Sequence, residues 1–134
     1  IAKGQKHVEN SYELSRYASK YAVVGGFSKL LKHFEKEVSP NEIITYADMR
    51  WSSGDVYNKN GFELLSKSEP NYWYITDRMS KRSHRFNFRK NVLKNKFPEH
   101  FSIDKTESQI MLDAGVNKVW DCGNLKFIKK LQSL

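Results

Sequence analysis

At 134 residues the chain is long enough for one domain with a modest core and short for two. A hydrophobic fraction of 39% and an aromatic fraction of 13% exclude a disordered chain, and no apolar run approaches the roughly 18 residues of a membrane span. Lys and Arg number 23 against 15 acids, a net charge of +8 that favours a polyanionic partner, because each cation placed on a phosphate releases a condensed counterion.

Residues 1–10, IAKGQKHVEN, carry no apolar core of a secretory signal. The single cysteine, Cys122, excludes an internal disulfide and a zinc-type cysteine pair. A cytoplasmic, reducing compartment is therefore expected, with no membrane partner. Residues 11–18, SYELSRYA, read as a strand with Tyr12, Leu14 and Arg16 on one side. After AVVGG the pattern turns helical over 27–38, where Phe27, Leu30, Leu31, Phe34 and Val38 make one apolar stripe. Ser39-Pro40-Asn41 stops that helix. Residues 43–47, IITYA, are β-branched and aromatic and predict a buried strand with Asp48 at its carboxyl end. A loop and short helix follow, closed by Gly61, and a strand begins at Phe62.

Residues 71–75, NYWYI, predict another strand, and 86–96 a basic helix. Thr106 with Gln109 three residues later is a capping-box pattern opening a helix over 106–114, ended by Gly115. Residues 116–120 and 125–128 suggest a hairpin turning through Asp121-Cys122-Gly123-Asn124. The alternation from Tyr12 to Leu65 predicts an α/β layered fold, whose strand carboxyl ends are where ligands usually bind. The expected organisation is a core over 1–77 and, packed on it, a basic helical extension with the terminal hairpin over 78–134.

Charge distribution separates a DNA partner from a merely soluble basic protein. Between residues 78 and 98 stand Arg78, Lys81, Arg82, Arg85, Arg89, Lys90, Lys94 and Lys96, with His84 and no acid. On a helix, Arg85, Arg89 and Lys96 would fall along one side and suit phosphate contacts. The alternative is a solvated charged face. His84 reads as a phosphate neighbour rather than a metal ligand, since no second His, Cys or acid lies at ligand spacing, and no metal is expected. Arg50 and Trp51 can approach a base by charge and stacking, or Trp51 can be packing.

Two adjacent glycines between strand and helix, in Val24-Gly25-Gly26-Phe27-Ser28, expose backbone N–H groups at a helix N-terminus, where an anion is favoured. The same residues are also an ordinary turn sequence. Around them stand Arg16, suited to an anionic group; Asp48, suited to orient or deprotonate a nucleophile; and Tyr57, suited to donate to a developing oxyanion. Each has a plainer role: Arg16 pairing with Glu13, Asp48 capping the following turn, Tyr57 a core aromatic.

The run Val23-Val24-Gly25-Gly26-Phe27-Ser28 resembles motif A of the GNAT acyltransferases, Gln/Arg-x-x-Gly-x-Gly/Ala before an amphipathic helix, with Val23 where Gln or Arg is expected. Val56-Tyr57 and Gly61-Phe62 look like that family's Leu-Tyr-x-x-x-Gly-Phe segment. Within the superfamily the chain is similar to phage Mom-type DNA modification proteins, whose core runs Tyr-Glu-Leu-Ser-Arg, a Ser-containing helix start, Ser-Tyr-Ser-Asp and Ile-Tyr-x-x-x-Gly-Phe. Here these are residues 12–16, Ser28, Thr45-Tyr46-Ala47-Asp48, and Val56-Tyr57 with Gly61-Phe62. Residues 46–52 and 120–127 also look like stretches of the C-terminal region of phage homing-endonuclease-like proteins, in which the nuclease centre belongs to a separate upstream domain.

The resemblance implies a GNAT-like mixed sheet with flanking helices. Only ten residues precede the strand at Ser11, so the chain is then a fragment or a minimal version, its sheet completed by an upstream segment or another chain. It also implies acetyl-CoA or a related acyl donor at 24–28, Arg16, Ser28, Asp48 and Tyr57 as catalytic residues, DNA as partner, and an infected bacterial cell as setting. Three functions stay open: a DNA-directed module that modifies a base or serves a homing endonuclease, an N-acetyltransferase acting on a small amine or protein, and a non-catalytic DNA-binding domain.

Overall fold

The computed structural model describes residues 1–5, 8–76 and 81–131. In chain order the elements are β1 (Ala2–Lys3), β2 (Ser11–Leu14), α1 (Gly26–Val38), β3 (Glu42–Asp48), α2 (Asp55–Asn58), β4 (Glu63–Lys67), β5 (Tyr72–Thr76) and β6 (Lys81–His84). A 3-10 turn (Arg85–Phe88), α3 (Lys90–Lys96), α4 (Glu107–Asp113), β7 (Asn117–Trp120) and β8 (Asn124–Lys130) follow. The architecture is mixed α/β with two sheets, and among the described residues no helix is long and apolar enough to cross a membrane. Two compact units divide the chain: Ile1–Glu69 with the segment from Gly123 onward, and Pro70–Cys122. Length argued for one domain with a boundary after residue 77; the division lies at Glu69/Pro70 and Cys122/Gly123, and the second unit has a core of its own.

The first unit is a sheet of order β1-β2-β3-β8-β4, in which β2 and β3 are parallel and every other pair antiparallel. β3 is central because Ile43, Ile44 and Thr45 are β-branched and buried on both faces. Helix α1 buries Phe27 and Leu31 against it, while Leu30, at the margin of the apolar stripe, is exposed. Ser39, in the left-handed region at φ 47°, ends the helix by donating its N–H to the Glu35 carbonyl. Leu14, Phe27, Leu31, Ile43, Ala47, Phe62 and Phe127 form the core.

The expected hairpin over 116–128 is not formed. β7 pairs with β5, whereas β8 lies between β3 and β4. Asp121-Cys122-Gly123-Asn124 has local turn chemistry, but Phe127 is fully buried in the first unit's core, and that burial decides where β8 goes. The Asp121 amide donates to the Asn71 carbonyl and Asp121 Oδ1 accepts from the Asn71 amide, which fastens the end of β7 to the start of β5.

The second unit is an antiparallel sheet of order β6-β5-β7 with a core of Tyr74, Phe88, Leu93, Ile110 and Met111. The expected capping box is present, with Thr106 and Gln109 satisfying each other's backbone amides. The expected helix over 86–96 is broken at Arg89, whose backbone is extended at φ −63° and ψ 152°. Phe88 and Leu93 both enter the one core. Five residues apart on a continuous helix they would point about 140° away from each other, so the break is what brings them together. The Glu107 carboxylate accepts the Lys90 amide at 3.0 Å and favours the helix restarting there.

Tyr74 is buried, with the Tyr72 and Ser108 side chains near its hydroxyl. Burial, reinforced by the neighbouring Tyr72 phenol, pushes its pKa up to about 12. Because the raised value belongs to the folded state, the stability it contributes is complete below pH 10 and is lost as pH rises toward 12. Tyr74→Phe is expected to remove that share of the alkaline decline. Urea midpoints of both proteins across pH 10 to 12 check this.

Candidate functional site: a glycine turn and two cationic aromatic clusters

The glycine turn is built as its sequence implies. The Gly26 amide donates to the Val23 carbonyl at 3.1 Å, Gly25 takes the left-handed conformation at φ 68°, and α1 begins. The amides of Phe27 and Ser28 donate to no atom among the described residues, so two N–H groups face outward at the helix start. Val24 is 97% exposed, and a Cβ on Gly26 would lie 2.9 Å from the Tyr17 hydroxyl. Tyr17 also meets Phe27 edge-on, so the segment after β2 folds back over the turn. Arg16 lines a largely apolar groove of about 190 Å³ with Ile1, Leu14, Tyr17, Phe27, Leu30 and Leu31. It makes no ion pair among the described residues, with Glu13 or any other acid.

The other proposed catalytic groups are engaged structurally. Ser28 Oγ donates to Asn60 Oδ1 at 2.6 Å, and Asn60 Nδ2 donates to the Val56 carbonyl, so this hydroxyl ties α1 to the turn after α2. Ser28→Ala is expected to cost about 1 kcal/mol by orphaning Asn60, read as a lower urea midpoint with unchanged slope. Asp48 Oδ1 accepts the Arg50 amide at 2.9 Å and Oδ2 pairs with the Arg50 guanidinium at 3.3 Å. Its carboxylate therefore caps the turn that leaves β3, as the plainer reading had it. The Tyr57 ring packs among Phe27, Phe62 and Phe127 with centroids 5.5–5.9 Å away. Its hydroxyl has no partner among the described residues and is not fully buried.

Arg50 also lies over the Trp51 ring, 4.9 Å from its centroid, and Trp51 is 78% exposed. Trp51 is thus an outward-facing ring and not packing.

In the second unit the basic segment separates into free and engaged cations. Arg78 lies outside the described residues. The Lys90 ammonium donates to the Ile103 carbonyl, and Lys96 Nζ donates to the Asn87 carbonyl while lying over Phe88. His84 Nδ1 accepts the Phe86 amide, which makes His84 the cap of the 3-10 turn, and its ring meets Trp73 edge-on. Arg85 lies over both Tyr72 and Phe86, and Arg89 lies 4.5 Å from the centroid of Phe86, itself 53% exposed. Lys81 and Arg82 are exposed on β6. None of Arg82, Arg85 and Arg89 has an acid partner among the described residues.

The helical stripe expected of Arg85, Arg89 and Lys96 is therefore replaced by two arginines gathered on one aromatic ring. Of the rings that hold them, Phe86 is available for packing on the expected helix but stands half exposed, and Tyr72 is legible in the sequence only as part of a strand. An exposed aromatic inside an acid-free basic run was the available signal. Compared with known proteins, the chain matches no family model and no curated protein.

Proposed function

We propose that the chain is a DNA-binding module with a GNAT-like first unit, and that its second unit grips the phosphodiester backbone. One observation carries this reading: Arg82, Arg85 and Arg89 stand in an acid-free stretch, two of them laid on aromatic rings, and none has an acid partner among the described residues. A guanidinium held flat against a ring keeps its N–H edge free and loses little entropy on binding, which suits phosphate. The succession of β2, glycine turn, α1, β3, α2, Gly61-Phe62 and β4 supports the GNAT-like reading, since it follows the order of the motifs that carry the resemblance. Of the three functions, DNA binding without group transfer is favoured, because Ser28 and Asp48 are occupied by Asn60 and Arg50.

Duplex binding followed by fluorescence anisotropy tests this. Submicromolar affinity at low salt, falling steeply as salt rises, is the expected result, and no duplex binding at low salt overturns it.

A second reading, group transfer from an acyl donor, is favoured by the two outward amides of the glycine turn with Arg16 nearby and by the unpartnered Tyr57 hydroxyl. The residues present fit an anionic group: Phe27 and Ser28 N–H would hold a phosphate of CoA, and the donor would supply the activated acyl group. Calorimetric titration with CoA tests it, saturable binding supporting the reading and a flat isotherm removing it.

A further inference from the structure

The first unit carries an aromatic and cationic surface of its own. Along β3 the side chains of Ile43, Thr45 and Ala47 share one face, that of the core beneath α1, so Tyr46 and Asp48 take the other. Tyr46 stands opposite Lys126 of β8, is 44% exposed, and has the Lys126 ammonium 5.8 Å from its ring centroid. Two residues further on, Asp48 fixes Arg50, and Arg50 lies over Trp51. The same carboxyl end of β3 is open on its other edge, because β2 leaves the ladder at Leu14, opposite Thr45, while β3 continues to Asp48.

The turn that presents Trp51 is tightly bonded. The Trp51 and Ser52 amides both donate to the Asp48 carbonyl at 3.0 Å, the Met49 amide donates to Gly123, and the Gly54 amide to Ser52 Oγ. Two rings held outward in water forgo burial that would otherwise stabilise the fold, and each has a cation beside it. Their shared chemistry is that of a stacking platform: a flat hydrophobic surface for a base, with Lys126, which has no acid partner among the described residues, as a positive charge for the phosphate that follows it.

We infer that Tyr46–Lys126 and Arg50–Trp51 form a site for unpaired nucleobases, so that the module prefers single-stranded or locally opened DNA to fully paired duplex. This rests on the DNA-binding reading and names its substrate class. A paired base keeps its faces inside the helical stack, whereas an unpaired one can lie on an exposed ring. The phosphate-gripping arginines belong to the other unit and act on either form, so the two ideas fail separately.

Anisotropy titrations with a labelled single strand, and with the duplex made from it, test the inference on the full chain. Trp51→Ala and Tyr46→Ala should each weaken single-strand binding about 5- to 150-fold, the range of one lost base stack, and leave duplex affinity within about twofold. Trp51→Phe should retain most of the single-strand affinity. Both rings are exposed, so the alanine variants are expected to fold, as circular dichroism can verify. If both alanine variants keep the wild-type ratio of single-strand to duplex affinity, the base-stacking site is wrong while duplex binding stands. If wild type binds neither form, the DNA reading and this inference fall together. If Trp51→Ala instead alters the sedimentation of the protein without DNA, Trp51 is a protein contact and the inference is overturned.

Discussion

Gly54→Ala is expected to destabilise the first unit by about 2–5 kcal/mol. Gly54 is buried and sits at φ +81°, a conformation L side chains rarely adopt. It caps α2, and its carbonyl accepts the Tyr57 and Asn58 amides. An added Cβ would overlap Phe127 Cζ and come within 2.5 Å of Cε2. That ring cannot easily yield, because Phe127 is fully buried and packed against Tyr57, whose ring in turn touches Phe27 and Phe62. Overpacking of this kind costs about 1–3 kcal/mol, and the left-handed backbone adds about 1–2. Gly25→Ala is the control. Gly25 has φ +68° but open space around it, so only the backbone term applies, about 1–2 kcal/mol. Urea unfolding of both variants decides the matter. Equal losses would mean that the contact with Phe127 contributes nothing.

The same contact explains what the sequence could and could not reveal. The helix from Phe27, the strand over 43–47 and the capping box at Thr106 are local patterns, and each element stands where its spacing put it. The destination of Phe127 is not local. Nothing in residues 121–128 says that the strand crosses back between β3 and β4 rather than pairing with its neighbour β7, because the reason is burial against Phe27, Ile43 and Phe62, far away in sequence. The break at Arg89 has the same origin: the segment is a good helix by propensity, but Phe88 and Leu93 must share one core. The site followed suit. Arg50, Trp51, Arg85 and Arg89 were recognisable from charge and aromatic content. That Ser28 is bound by Asn60, and Lys96 by a carbonyl, depends on side-chain geometry that spacing does not encode.

Replacing Arg82, Arg85 and Arg89 together by glutamine is expected to weaken duplex binding about 10³-fold at low salt and to reduce the slope of log affinity against log salt by about 2.7, or 0.9 for each lost phosphate contact. The count follows from which cations are free. None of these guanidiniums has an acid partner among the described residues, and Arg85 and Arg89 already lie over Tyr72 and Phe86, so no ion pair among those residues must break before a phosphate is engaged. Lys90 and Lys96 are equally basic in sequence but differ in kind. Their ammonium groups already donate to the Ile103 and Asn87 carbonyls, and using them on DNA would orphan those acceptors. Lys96→Gln should therefore leave the salt slope unchanged and lower stability by about 1 kcal/mol, through loss of the Asn87 bond and of the contact with Phe88. Anisotropy titrations across a salt series, paired with urea midpoints, separate the two classes. A triple variant that kept the wild-type slope would show these arginines to be a solvated face, and an equal slope change in Lys96→Gln would show that net charge alone governs binding. The loss should be nearly independent of base sequence, since phosphate contacts position a duplex without reading it.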